Sequence, residues 1–103
     1  MTHAPQPLTI KFDKPGFFLT DVRLVVSLDG APIHDGSFAS GFEVTVQVPP
    51  GEHTLETHLD LGVFGRKRRS VLTLSPAAGW VASLSYSRLW GNFSKKVELR
   101  RVG

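Results

Sequence analysis

The chain has 103 residues, no cysteine and a net charge of +3. That length supports one hydrophobic core and not two, and the missing cysteine excludes disulfides, thiolate catalysis and cysteine-rich zinc sites. Charge is uneven, with three Lys/Arg against five Asp/Glu in residues 1–51 and nine against four in residues 52–103, so the second half points to an acidic partner.

Met1 to Pro7 lacks the basic start and apolar run of a secretory leader, and no stretch approaches the roughly 20 apolar residues of a membrane span. The expectation is a soluble, cytoplasmic chain with a flexible segment over residues 1–7 and a single domain over residues 8–103. Leu8, Ile10 and Phe12 alternate with Thr9 and Lys11 as a first strand, closed by Asp13-Lys14-Pro15-Gly16. Phe17-Phe18-Leu19 is unusually apolar for a connection; it either plugs one end of the core or forms an exposed tip. Val22, Leu24, Val26 and Leu28 share the next inward face, and Asp29-Gly30 supplies residues that tolerate positive φ in a tight turn. Ile33 to Phe38 predicts a short edge strand with little to bury.

Phe42, Val44, Val46 and Val48 alternate with Glu43, Thr45 and Gln47 until Pro49-Pro50-Gly51 ends the ladder. In the following strand His53, Leu55, Thr57, Leu59 and Leu61 share one face, and Thr54, Glu56, His58 and Asp60 the wet one. A turn over residues 62–65 leads to a strand over Arg69–Leu74. Trp80, Ala82, Leu84 and Tyr86 define another, and Val97 and Leu99 the last. Seven or eight such strands, each with one apolar face, predict an all-β, antiparallel, immunoglobulin-like β-sandwich.

Val26-Ser27-Leu28-Asp29-Gly30-Ala31-Pro32-Ile33 and Val46-Gln47-Val48-Pro49-Pro50-Gly51-Glu52-His53-Thr54-Leu55 together resemble PEGA-type and related immunoglobulin-like or transthyretin-like bacterial domains. The resemblance covers about residues 20–60, and the Pro-Glu-Gly-Ala stretch that names the PEGA type is absent. It implies a non-enzymatic accessory or interaction module and carries no catalytic residue to transfer.

Side chains able to do chemistry are thinly spread. His53 and His58 are five apart, so on one regular strand they point to opposite faces and cannot share an ion; no metal or cofactor is expected. No nucleophile-elbow glycine pattern or phosphate-cradling loop accompanies the Ser, His and Asp residues, so neither catalysis nor a small-molecule substrate is expected.

Two features stand out as contact surfaces. Arg66, Lys67, Arg68 and Arg69 follow the apolar tip at Phe64; they form either a binding patch or a solvated strand edge partly paired with Glu56 and Asp60 across the hairpin. Arg88, Trp90 and Phe93 lie where the alternation ends, and the two aromatics either fold back over the core or stand out with Arg88 as a contact surface. The expected function is a bacterial protein-interaction or accessory module, with self-association through a strand edge as a further route. The alternative is electrostatic binding of nucleic acid or an anionic membrane surface.

Overall fold

A computed structural model describes residues 4–13, 22–60, 65–87, 92–94 and 96–102. Ten strands are present in these residues and no helix: β1 (Gln6–Phe12), β2 (Arg23–Leu28), β3 (Ala31–Ser37), β4 (Phe42–Val48), β5 (Gly51–Asp60), β6 (Gly65–Leu74), β7 (Gly79–Ser83), β8 (Tyr86–Ser87), β9 (Asn92–Phe93) and β10 (Glu98–Val102). Eight of them form two four-stranded sheets, ordered β10-β7-β1-β4 and β3-β2-β5-β6; β8 and β9 pair as a separate ribbon.

The sheets pack as a sandwich because two-residue alternation gives each an apolar inner face. Leu8, Ile10, Phe12 and Ala82 from the first meet Leu24, Val26, Leu55, Leu59, Leu72 and Leu74 from the second, all buried. Thr9, Thr45 and Lys11 fall on the outer phase of the first sheet, where Thr9 Oγ1 and Thr45 Oγ1 share a hydrogen bond of 2.8 Å.

Pairing departs from the wholly antiparallel expectation at one place: β7 runs parallel to β1, Leu8 opposite Trp80 and Ile10 opposite Ala82. A parallel neighbour needs a long crossover, and here most of the chain, including the whole second sheet, lies between the two strands. β1 also takes in Gln6 and Pro7, which the sequence pattern assigns to the flexible segment. Gln6 is buried, and its amide donates to the Ser75 carbonyl and accepts from the Ala77 N–H, so the strand's start is tied to the turn before β7.

The predicted edge strand over Ile33–Phe38 is β3, at the margin of the second sheet, with a register shift beside Val26 and Ser27. Phe38 itself leaves the strand and is fully buried. It joins Phe12, Tyr86 and Phe93 in an aromatic cluster at one end of the core, with ring centroids 4.9 to 5.9 Å apart and mostly edge-to-face. Phe17, Phe18 and Leu19, the predicted plug, lie outside the described residues.

Candidate functional site

The basic run is not a loop before a strand: β6 begins at Gly65 and carries all four cations. Pleating therefore divides them. Arg66 and Arg68 have the phase of the buried Leu72 and Leu74, whereas Lys67 and Arg69 share the outer phase with Val71 and Thr73. Arg68 Nε donates to the Phe93 carbonyl at 2.9 Å. Arg66 is close enough to Tyr86 to oppose the upward shift that burial imposes on the phenol.

On the outer side, Arg69 pairs with Glu56 at 3.1 Å and lies opposite it in the β5–β6 register. In the strand register Asp60 does not stand opposite a member of the run. Its register partner is Gly65, two positions before Lys67, and Lys67 faces His58. The cause is the start of β6: the hairpin pairs β5 through its last residue, so the acid falls beyond the run. A shallow polar groove beside the Arg69–Glu56 pair is lined also by Ser27, Gly30 and Thr54.

Phe93, the described member of the second predicted feature, meets the first through Arg68. Asn92 Nδ2 donates to the Lys67 carbonyl at 3.1 Å, and the Asn92 Oδ1 accepts the Phe93 N–H at 2.8 Å. Together with the Arg68–Phe93 bond, this fastens the β8–β9 ribbon onto the cationic half of β6. Phe93 is 1% exposed, so it is a core residue and not a contact residue; edge-to-face packing on Phe12 holds its ring inward. Phe64, Arg88 and Trp90 lie outside the described residues.

A further cluster was half legible in the sequence. His53 is the first inward residue of β5, as its phase requires, and is buried. Its Nδ1 lies 2.6 Å from Asp29 Oδ2, and its Nε2 lies 2.7 Å from the Pro49 carbonyl oxygen. A carbonyl only accepts, so Nε2 carries a proton; an ionised carboxylate only accepts, so Nδ1 carries one too. The ring is an imidazolium in this arrangement. Burial opposes that charge, but the Asp29 hydrogen bond, the Pro49 carbonyl and the Asp29 charge together raise His53 above the usual histidine range. The His53 hydrogen bond and the Thr54 N–H, at 2.8 Å from Oδ1, hold the Asp29 carboxyl below its own range. Asp29 occupies left-handed backbone, φ 51°, a conformation Asp tolerates. With both ring nitrogens engaged, His53 locks the β2–β3 turn to the β4–β5 turn and has no lone pair for a metal.

Arg23 is the other strong ion pair, with Nε and Nη2 on the two Asp35 oxygens at 2.7 and 2.6 Å. Asp60 stands opposite it on β5 and adds to the field that raises the Arg23 pKa, after the dominant Asp35 hydrogen bond. Among the described residues no group of three His, Asp or Glu is placed to hold a metal ion.

No protein-family model matches the sequence, and no curated protein matches it significantly. The likeness to PEGA-type domains therefore gains no family assignment. A solved structure described as a "putative cell adhesion protein" from Bacteroides ovatus ATCC 8483 is similar in fold, with a TM-score of 0.50 at 9% identity. The match covers 96% of this chain and 45% of that one, so the chain spans just under half of its length. At that identity the likeness establishes a shared β-sandwich.

Proposed function

We propose that this domain is a non-catalytic protein-binding module whose contact surface is the outer side and edge of β6, with Arg88 and Trp90 as further contact residues. The observation that carries the reading is the pair of bonds joining Lys67 to Asn92 and Arg68 to Phe93. They hold two segments 25 residues apart in the chain against each other. The sandwich shared with the adhesion-described protein is compatible with this reading. The split of the basic run works against simple polyanion binding. Arg69 is paired with Glu56 and Arg68 donates to the Phe93 carbonyl, so the four cations of the run do not present one free row to a polyanion.

The test is affinity capture from extracts of the native source with wild type, Lys67→Glu and Trp90→Ala, each at low and moderate salt. A protein retained by wild type at both salts and lost with either variant is the expected result. Equal recovery by all three sinks the reading. Recovery of nucleic acid or lipid that vanishes between about 50 and 200 mM salt gives the surface to polyanions instead.

A further inference from the structure

Resting on that reading, we infer that the edge of β6 over Arg69–Thr73 accepts an acidic extended segment of a protein partner as an added fifth strand. The direction of the backbone comes first. In an antiparallel ladder the N–H and C=O of one residue point to the same side. Thr54 donates its N–H to Asp29 Oδ1 and accepts the Asp29 N–H on its carbonyl, so both groups point away from β6. Its register partner Val71 forms a non-hydrogen-bonded pair with it, and turns its own N–H and C=O to the sheet's edge. Arg69 and Thr73, two positions either way, do the same. Lys67 shows the pattern directly, because its outward carbonyl is the one that Asn92 covers. That cover stops at Lys67; among the described residues no hydrogen bond reaches the outward backbone of Arg69, Val71 or Thr73.

Charge then selects the occupant. Across the outer face of this sheet the sign alternates strand by strand: Asp35 on β3, Arg23 on β2, Glu52, Glu56 and Asp60 on β5, Lys67 and Arg69 on β6. Arg23 has an acidic strand on each side, whereas Arg69 has one only, through Glu56. Continuing the alternation along the open edge puts an acid opposite Arg69. Val71, at 62% exposure the most exposed large apolar side chain described, calls for an apolar neighbour in the same strand. A second copy of β6 fits less well: centred on Arg69 or Lys67 it opposes cations, and centred on Val71 it sets Arg69 against Thr73 and brings no acid to it. Strand addition of this kind draws affinity from main-chain bonds and specificity from alternate side chains.

The probe is a synthetic, end-blocked peptide reading Thr-Val-Val-Thr-Glu-Thr. Antiparallel to β6, it sets its glutamate opposite Arg69 and a valine opposite Val71. Controls are the lysine-for-glutamate peptide and one N-methylated at the residues facing Arg69, Val71 and Thr73. Binding is read by amide hydrogen exchange of the full chain. Slowed exchange at Arg69, Val71 and Thr73, with both controls inert, is expected. Arg69→Glu should weaken the peptide about tenfold. Thr73→Pro, which removes one outward donor at an edge position that tolerates proline, should weaken it about fivefold; preserved β5 protection shows that either variant is folded.

No binding up to about 1 mM, equal binding of the N-methylated peptide, or protection at another edge overturns strand addition. So does a peptide-free dimer in sedimentation with these amides already protected, which would give the edge to a second copy. If the peptide fails while Lys67→Glu still releases the native partner, strand addition falls and the binding-module reading stands.

Discussion

His53 illustrates how one side chain can join distant turns. Its bonds to Asp29 and Pro49 lock the ends of two hairpins, and the sign of each pKa shift sets where that lock holds. His53 is raised, so its contribution is complete below the pKa it has in the unfolded chain and is lost as pH rises through its folded value. Asp29 is lowered, so its contribution is complete above its unfolded pKa and is lost as pH falls through its folded value. Stability from the pair is therefore greatest between the unfolded carboxylate and unfolded histidine ranges and declines on both sides. Asp29→Asn keeps the left-handed backbone and the Thr54 contact but loses the charge. It should cost about 1 to 2 kcal/mol in that window, flatten urea stability against pH, and lower the ring titration of His53 by NMR. An unchanged His53 titration would refute the imidazolium assignment. The inward direction of His53 is legible from phase alone; its partner is not, because 24 residues separate it from Asp29.

At the scale of elements, β6 combines two strands' worth of roles in one. Through Lys67 its edge is bonded by the β8–β9 ribbon, and from Arg69 onward its backbone edge is open among the described residues. The Glu56–Arg69 pair is legible from hairpin logic, whereas the residue opposite Asp60 is not, because register depends on where β6 begins. The burial of Phe93 is one of the two alternatives its sequence leaves open: its neighbours break the alternation, and the aromatic end of the core decides that it turns in. Asn92 is the fastener of this arrangement. Asn92→Ala leaves the Phe93 N–H and the Lys67 carbonyl without their partner and should cost about 2 kcal/mol. Amide exchange should quicken at Phe93 and Ser94 and stay unchanged in the middle of β5; uniform quickening in both would mean that the ribbon is part of the global core and not a local clasp.

For the whole molecule, the aromatic cluster joins both sheets to the ribbon, since Phe12 comes from β1, Phe38 from the end of β3, and Tyr86 and Phe93 from β8 and β9. Phe38→Ala should therefore cost about 3 to 5 kcal/mol and lower the stability of both sheets in a single urea transition; separate transitions for the two sheets would contradict one shared core. What the sequence by itself determined is the strand count to within the two short segments, the inward face of each strand and the stops at proline and glycine. Those follow from two-residue periodicity and backbone sterics, which act between neighbours in the chain. Only the tertiary structure decided that β7 pairs parallel with β1, that Asp29 meets His53, and that the basic run and the Asn92–Phe93 segment are bonded to each other. Each of these depends on which distant segments are brought side by side, and side-chain alternation is the same whichever strand lies alongside.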